Sequence, residues 1–341
     1  MNKYIEINNI KIGKDYPPYI VAEMSANHNG SFKRAIKIVR KAAECGVSAI
    51  KLQTYTADTM TIKSKKKDFL VSDKQIKKFG KTLYDLYNKA HTPWEWHHKI
   101  FKEAKKNGLI CFSTPFDESS VNFLKKLKPP IFKIASFENT DLRLIKQLAR
   151  TKKPLIISLG MANLKEIEKT VKIARANGCK KLILLKCTSS YPAPLGDSNL
   201  NTIPYLRKKF NCEVGLSDHT LGTSAAVAAV SLGASVIEKH FTLDKKNKGV
   251  DESFSLNPEE MKKLVNQVNE AYESLGSVQI KASKSEKKNL KYRRSIYVVK
   301  NITKGESFSK SNVREVCSSI PIVITSSSLI KFWNLFFPMK Q

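Results

Sequence analysis

The segment CEVGLSDHTLGTSAAVAAVSLGASVIEKHFTL, residues 212–243, contains two apolar, β-rich runs separated by a helical pattern. The runs are CEVGLSDH (212–219) and VIEKHFTL (236–243), and residues 223–232 between them carry apolar residues at three- and four-residue spacing. Nearly continuous apolar strands are typical of a parallel sheet that is covered on both faces. This segment therefore predicts a strand–helix–strand unit of an α/β fold.

The same alternation recurs along the preceding chain. Six further apolar runs are YIVAEMS (19–25), AIKLQTY (49–55), LICFSTPF (109–116), IFKIAS (131–136), LIISLG (155–160) and KLILLKCT (181–188). With residues 257–275 as the last helix, the count matches a (β/α)8 TIM barrel. The long lysine-rich segment 56–92 after the second strand is typical of an active-site loop or a partner surface.

A second, smaller unit is predicted after Gly276. Residues 1–276 form the predicted barrel domain, residues 277–294 a charged linker, and residues 295–341 a small β-rich domain. The composition changes abruptly after Arg314, and we expect a poorly ordered tail beyond about that residue. Prolines and a serine run within the tail argue against a membrane span there.

Composition places the chain among folded globular proteins. Hydrophobic residues make up 41% of its 341 residues and charged residues 26%, which excludes disordered, collagen-like and disulfide-scaffold proteins. The first residues lack the apolar core of a signal peptide, and no stretch of about 18 uncharged apolar residues follows. The 6 cysteines form no CxxC pair, as expected of reduced thiols. We therefore expect a cytoplasmic protein without a membrane partner.

The chain is strongly basic. It carries 60 Lys and Arg residues against 30 Asp and Glu residues, a formal net charge of +30. This excess raises nucleic acid as a partner, but the lysines are spread over every predicted helix without an aromatic and basic RNA-binding signature. We expect no specific nucleic acid partner, and we expect the positive field to attract anionic substrates.

Polar residues concentrate where the predicted strands end, which is where the reactive groups of a (β/α)8 barrel lie. These residues are Glu23, Ser25, Asn27, His28, Lys51, Gln53, Ser113, Thr114, Lys133, Ser136, Ser158, Lys186, Thr188, Ser189, Ser217, Asp218, His219, Glu238, Lys239 and His240. A barrel used only as a scaffold would have little reason to direct so many polar groups into one mouth. The pattern predicts a catalytic or binding site there.

Two histidines on neighbouring strand ends, His219 and His240, can bind one divalent metal through their imidazoles. The alternative is a pair of capped core histidines, because no HxH or HExxH spacing supports ligation. His97 and His98 lie outside the strand ends, and we interpret both as surface residues of a helix.

Lys51 and Lys133 lie in otherwise apolar strands, where a buried ammonium needs an anion or a carboxylate partner. With the hydroxyls of Thr114, Ser136, Ser158 and Ser217 they could form a phosphate or carboxylate cradle. The alternatives are a Lys–Glu ion pair inside the barrel and a Schiff-base lysine. Glu23 is either a general base with a raised pKa or the partner of one of these lysines, and spacing does not distinguish the two.

The chain contains the segments AEMSANHNG, KLQTYTADT, CFSTPFD, FKIASFE, LKCTSSYP, GLSDHT, EKHFTL and GVDESFSLNP. These segments closely resemble the sialic acid synthase family, within it the pseudaminic acid synthase branch. The resemblance covers roughly residues 3–313. It implies a (β/α)8 barrel joined to a small antifreeze-like (SAF) domain, usually in a domain-swapped homodimer. The implied reaction condenses phosphoenolpyruvate with the open-chain aldehyde of an acetamido hexose, giving a nine-carbon 2-keto acid and phosphate.

The resemblance also implies roles for individual residues. His219 and His240 look like the ligands of a divalent metal ion, commonly Mn²⁺ with Mg²⁺ or Co²⁺ as alternatives, that polarises the aldehyde. Glu23 is similar to the carboxylate beside the reacting sugar and the attacking water. The positions matching phosphoenolpyruvate contacts are Lys51, Thr114, Lys133, Ser136, Ser158 and Ser217, and those similar to sugar-side contacts are Gln53, Tyr191 and Asp251.

Substrate choice within the family depends on fewer residues. SANHN, LQTYTADT and PWEWHH resemble the branch acting on 2,4-diacetamido-2,4,6-trideoxy-L-altrose. Ser189 stands where the neuraminate branch more often has Asn, and its smaller side chain would leave room for a different sugar substituent. The alternative is an N-acetylneuraminate or legionaminate synthase.

The second domain departs from the family pattern. Cys317 stands in place of the family arginine that reaches towards the partner's sugar site, and the remaining carboxyl-terminal pattern is absent. We therefore expect a truncated or altered antifreeze-like domain and reduced activity. A basic protein that binds phosphate-bearing ligands without turnover is a further alternative. The presence of all five candidate catalytic and binding residues argues against it: Glu23, Lys51, Lys133, His219 and His240.

Overall fold

A computed structural model of the chain describes residues 4–72, 77–246 and 249–317. Its strands are β1 (Ile5–Ile7), β2 (Ile10–Ile12), β3 (Tyr19–Glu23), β4 (Ala49–Thr54), β5 (Ile110–Pro115), β6 (Phe132–Ile134), β7 (Leu155–Ser158), β8 (Leu182–Cys187), β9 (Glu213–Asp218), β10 (Val236–His240), β11 (Arg294–Val298) and β12 (Val313–Cys317). Its α-helices are α1 (Phe32–Glu44), α2 (Ala57–Met60), α3 (Leu83–Ala90), α4 (Trp94–Lys106), α5 (Glu118–Leu127), α6 (Leu142–Ala149), α7 (Leu164–Ala176), α8 (Thr202–Phe210), α9 (Ser224–Ser231) and α10 (Pro258–Leu275).

Strands β3 to β10 form one parallel sheet in the order β5-β4-β3-β10-β9-β8-β7-β6. The sheet curves into a nearly closed barrel in which β5 and β6 are the end strands, with helices between successive strands. The predicted TIM barrel is confirmed. Its register aligns polar residues in rows, since Glu23 pairs with both His240 and Lys51, and Glu238 pairs with Ser217.

The apolar core has two layers. Most buried apolar residues lie between the outer face of the barrel and the helices, as the amphipathic spacing of α1 and α7 requires. A second cluster lies inside the barrel, where Ile5, Ile7 and Ile12 of the β1–β2 hairpin pack against residues at the start of the strands, such as Tyr19 and Val236. The hairpin therefore packs against the amino-terminal end of the barrel, and the opposite end remains for polar groups.

Local signals fix where several helices begin. Asn163 caps α7 and exchanges hydrogen bonds with Glu166, and Asn257 caps α10 in the same way with Glu260. Such capping boxes satisfy backbone N–H groups that the first helical turn leaves without partners. The lysine-rich segment after β4 contains α2 and α3, so it is folded over much of its described length.

The chain divides into two compact units after Gly276. In the second unit, a 3-10 helix at Lys287–Tyr292 precedes β11, which pairs antiparallel with β12 in a register that sets Arg294 opposite Cys317. The prediction of disorder beyond residue 314 is wrong for residues 315–317, because backbone hydrogen bonds to β11 hold them in β12. For residues 318–341 that prediction lies outside the described residues, and the antifreeze-like domain stays a prediction.

All 6 cysteines are free thiols. No helix within the described part of the chain combines the length and the apolar character that crossing a bilayer requires.

Candidate active site

Four buried charges meet at the carboxyl-terminal end of the barrel. Lys51 of β4 forms an ion pair with Glu23 of β3, and its Nζ lies 3.8 Å from Oε1 of Glu238 on β10. Lys133 of β6 lies 3.0 Å from the same Glu238 oxygen, which also accepts a hydrogen bond from Ser217 at 3.2 Å. The Lys–Glu ion pair that the sequence left open is therefore formed, and the cluster contains two positive and two negative groups.

Burial and charge act differently on the four groups. Burial raises the pKa of Glu23, whereas for Glu238 the lysines outweigh burial and lower its pKa to about 2. Burial lowers the pKa of Lys133, whereas the two carboxylates outweigh burial at Lys51 and raise its pKa. Lys51 and Glu238 are therefore held in their charged forms, and Glu23 and Lys133 are pushed towards neutrality.

Hydroxyls surround the two ammonium groups. Lys133 donates to Ser158 at 2.8 Å, and Lys51 donates to Thr114 at 3.3 Å. The second oxygen of Glu238, Oε2, is buried and has no hydrogen-bond partner. A buried polar atom without a partner is costly, so it indicates a site that a water or a ligand completes.

Gly160, just after β7, lines the same region with its backbone. Its N–H donates to Ser136 Oγ at 3.2 Å, and its carbonyl accepts from Asn139 at 3.1 Å. A methyl group added at Gly160 would collide with the Ser189 hydroxyl and lie 2.7 Å from Ser136 Oγ. Ser136, Ser189 and Gly160 therefore leave a small polar cradle beside Ser158 that a side chain at residue 160 would fill.

The two predicted metal ligands face each other beside this cradle. The rings of His219 and His240 have centroids 5.4 Å apart. Nδ1 of His219 lies 2.9 Å from the Thr188 carbonyl oxygen, so it carries the proton and leaves Nε2 free to bind a metal. Nδ1 of His240 is buried without a hydrogen-bond partner. Burial, reinforced by nearby positive groups, lowers the pKa of His240 and favours the neutral form that binds metal.

These observations fit a divalent ion held by two imidazoles. Within residues 4–72, 77–246 and 249–317, no further His, Cys, Asp or Glu completes a group of three ligands. Catalytic metal sites keep positions open for substrate and water, and a two-histidine site would leave several. Cys187 lies nearby, with Sγ 3.8 Å from His219 Nδ1. Although burial opposes it, this contact lowers the pKa of Cys187 to about 7.

The predicted sugar-side residues lie at the same end of the barrel as the histidines. The Tyr191 ring lies 4.4 Å from that of His219, and its side of the site is open because Tyr191 is 42% exposed. Asp251 accepts hydrogen bonds from Ser25 Oγ at 2.5 Å and from Ala26 N–H at 3.3 Å. Gln53 stands at the end of β4. The predicted site residues therefore share one mouth.

Two features differ from the sequence analysis. His97 is fully buried on the inner face of α4, where its ring forms a hydrogen bond with Thr54 at 2.8 Å. Its assignment to the surface is therefore wrong. His98 is exposed, as predicted. Glu238, which had no assigned role, is the carboxylate that both lysines approach. Its position two residues before His240 on one strand places both side chains on the same face, and this spacing could have revealed it.

Comparison with known proteins gives consistent matches. The NeuB family signature matches residues 38–280. The chain is 45% identical over 302 residues to the pseudaminic acid synthase of Campylobacter jejuni, covering 89% of this chain and 88% of that protein. It is 41% identical to the N,N'-diacetyllegionaminic acid synthase of the same species, covering 86% and 88%. The crystal structure of the N-acetylneuraminic acid synthetase of Leptospira borgpetersenii superposes with a TM-score of 0.75 at 32% identity, covering 85% and 96%.

Proposed function

The chain belongs to the NeuB family, and we propose that it is a pseudaminic acid synthase. It forms a carbon–carbon bond between phosphoenolpyruvate and 2,4-diacetamido-2,4,6-trideoxy-L-altrose, and with water it gives pseudaminic acid and phosphate. The assignment of the sugar follows the 45% identity to the Campylobacter jejuni pseudaminic acid synthase over most of both chains.

One observation supports this chemistry above all others. The cradle formed by Ser136, Ser189 and Gly160 lies in the same barrel mouth as the facing rings of His219 and His240. Lys133, which donates to Ser158, supplies a cation beside it. Phosphoenolpyruvate needs cations and hydroxyls for its phosphate and carboxylate, and an aldehyde needs an electrophilic group beside it. The mouth offers both kinds of group to two substrates at once.

The reaction balances with one water. A bond forms between C3 of phosphoenolpyruvate and the aldehyde carbon, and the water oxygen adds to C2. Cleavage of the bond between C2 and the phosphate oxygen then releases phosphate and leaves a 2-keto acid. One proton of the water ends on the former aldehyde oxygen and the other on the phosphate.

Different residues of the barrel mouth act on different parts of this reaction. Lys133 and Lys51, with the hydroxyls of Ser158 and Thr114, bind the phosphate and carboxylate and neutralise their charge. Glu23 shields the positive charge that develops at C2 and accepts the proton of the attacking water, a role that suits its raised pKa. His219 and His240 would hold a divalent ion, Mn²⁺ in the first instance, which supplies Lewis-acid polarisation of the aldehyde when bound.

Sugar recognition belongs to the other side of the mouth. Asp251, Gln53 and Tyr191 contact the sugar, and Ser189, which also borders the cradle at Gly160, leaves space for the substituent of the sugar. A homodimer is part of the proposal, and Cys317, exposed at the end of β12, cannot supply the cation of the family arginine. We therefore expect weaker sugar binding than in a relative with that arginine.

A second candidate is the synthesis of N,N'-diacetyllegionaminic acid, because the relative with that name is 41% identical over 300 residues. The two activities share the barrel chemistry and differ in the sugar that is consumed. Only a comparison of sugars separates them.

The test is phosphate release from phosphoenolpyruvate with Mn²⁺ and three sugars, with mass detection of the nine-carbon product. The sugars are the diacetamido altrose, the diacetamido precursor of legionaminic acid and N-acetylmannosamine. We expect turnover with the altrose sugar, loss of turnover in His219→Ala, and wild-type turnover in the matched surface variant His98→Ala. Turnover with either other sugar in preference to the altrose would contradict the assignment, and equal turnover in His219→Ala would contradict the site.

A further inference from the structure

Ser25 has a backbone conformation that its residue type disfavours. Its φ is 45°, in the left-handed region where a side chain crowds the backbone and where glycine is the favoured residue. It lies two residues after Glu23 and begins the 3-10 helix Ser25–His28 that leads out of β3. Glycine would adopt this conformation with less strain, so the presence of a serine beside a candidate catalytic carboxylate indicates that the hydroxyl has a function of its own.

The conformation directs two groups of Ser25 towards two different carboxylates. Its N–H donates to Glu23 Oε1 at 2.9 Å, and its hydroxyl donates to Asp251 Oδ2 at 2.5 Å. Glu23 is at the end of β3, whereas Asp251 is 226 residues further along the chain from Ser25, in the loop after β10. One residue therefore links the carboxylate proposed for the water with the carboxylate proposed for the sugar.

The hydroxyl is not needed to hold the two loops together. Asn27 donates to Ser255 at 2.8 Å and to the Phe241 carbonyl at 2.9 Å. Buried Glu252 accepts from Asn29 at 2.7 Å and forms an ion pair with Arg34 at 3.1 Å. These contacts anchor the loop after β10 to the loop after β3 without Ser25.

What the Ser25 hydroxyl adds is the orientation of one oxygen. Asp251 Oδ2 accepts from Ser25 and also from the Ala26 N–H at 3.3 Å, so two donors hold this oxygen. A carboxylate with one oxygen held by two donors presents the other in a defined direction. Loss of the hydroxyl leaves only the longer contact to orient it.

We propose that Ser25 is a positioning residue for sugar binding, which acts by orienting the Asp251 carboxylate towards the sugar. The inference rests on the proposed function, because Asp251 must meet the sugar for its orientation to matter. The N–H of Ser25 orients Glu23 at the same time, and this part of the contact is independent of the side chain.

Two substitutions separate this role from a structural one. Ser25→Gly removes the hydroxyl and the backbone strain together, whereas Ser25→Ala removes the hydroxyl and keeps the strain. Both keep the N–H that holds Glu23. Lys152→Gly is the matched control, because Lys152 is an exposed residue outside the barrel mouth with a φ of 57°.

The experiment measures the Tm, the KM for the diacetamido altrose, kcat, and the Kd for phosphoenolpyruvate. We expect Ser25→Gly to have a Tm at or above that of the wild type and Ser25→Ala a lower one. Both substitutions should raise the KM for the sugar about tenfold, which is the smallest effect expected when a hydrogen bond to a charged group is lost. Neither should change the Kd for phosphoenolpyruvate. Lys152→Gly should leave the sugar KM at its wild-type value.

A double-mutant cycle tests the route through Asp251. In an Asp251→Asn background, Ser25→Gly should have little further effect on the sugar KM, because the group that it orients has changed. Additive effects of the two substitutions would overturn the proposal, as would a wild-type sugar KM in Ser25→Gly.

Failure of the proposed function has a different signature. A wild-type chain that forms no nine-carbon product while it binds phosphoenolpyruvate refutes the function and the sugar role of Ser25 together. Product formation with equal KM values in the wild type and Ser25→Gly overturns the role of Ser25 alone.

Discussion

Replacement of Gly160 by alanine is the smallest change that should prevent an anion from binding in the cradle. The added methyl group would lie 2.7 Å from Ser136 Oγ and would collide with Ser189 Oγ. Neither atom is at the end of a long side chain that can bend away. The two serines must rotate about their first side-chain torsion, and both hydroxyls then leave the positions from which they would meet the substrate.

The magnitude follows from the contacts that are lost. Overpacking by one methyl group costs about 1–3 kcal/mol of unfolding free energy, and the rotation of two small serines should keep the loss near 1 kcal/mol. A hydrogen bond to a charged ligand contributes about 1.5–3 kcal/mol, so loss of one hydroxyl contact raises the Kd for phosphoenolpyruvate about 10- to 100-fold. We therefore expect Gly160→Ala to fold and to bind phosphoenolpyruvate poorly.

Calorimetric titration with phosphoenolpyruvate and urea unfolding measure the two effects separately. Gly196→Ala is the matched control, because nothing lies within 4 Å of a methyl group added at Gly196 and its φ is not in the left-handed region. It should leave both quantities at their wild-type values. A wild-type Kd in Gly160→Ala would refute the assignment of the cradle to the anion.

Four further measurements test the buried charged and titratable groups and the proposed metal ion. Glu238→Gln removes a buried partner of Lys133, so the free energy of unfolding in urea should fall by about 3 kcal/mol, and an unchanged value would contradict the ion pairing. Binding of phosphoenolpyruvate brings negative charge towards Lys133, whose pKa burial has lowered, and raises that pKa again, so titrations in buffers of different ionisation enthalpy should show proton uptake and not release. Chelation by EDTA should abolish product formation and leave the Kd for phosphoenolpyruvate unchanged, and Mn²⁺ should restore turnover. Burial lowers the pKa of His28 and of His97 from 6.5 to about 4, so the stability that their neutral forms contribute is complete above pH 6.5 and is lost as the pH falls towards 4. The loss should be about 3 kcal/mol of unfolding free energy for each histidine. Urea unfolding at pH 7.5 and 4.5 measures it, and equal stability at the two pH values would contradict this prediction.

The barrel and most of the mouth could be predicted from the sequence because both depend on local patterns. Apolar runs with polar ends give the strands and the residues at their carboxyl-terminal ends. The surface prediction for His97 is wrong because it follows the polar character of histidine and not the position of the residue in the helix. It lies three residues before Ile100 and seven before Ala104, on the buried stripe of α4. The contact between Ser25 and Asp251 had no local signal, because it joins loops that only the closed sheet brings together.

The charge arrangement explains how one neutral cluster can both bind an anion and move a proton. Glu238 accepts from Lys133 and lies near Lys51, so it stays charged as their common counter-ion, whereas Glu23 has a raised pKa and one fewer lysine beside it. Two carboxyl groups with separated pKa values are the arrangement in which one serves electrostatics and the other serves proton transfer. The Ser25 N–H fixes the Oε1 atom of Glu23. Proton transfer therefore depends on the end of β3 and the loop after it, and anion binding depends on β4, β6, β7 and β10, so substitutions in the two regions should affect different steps of one reaction.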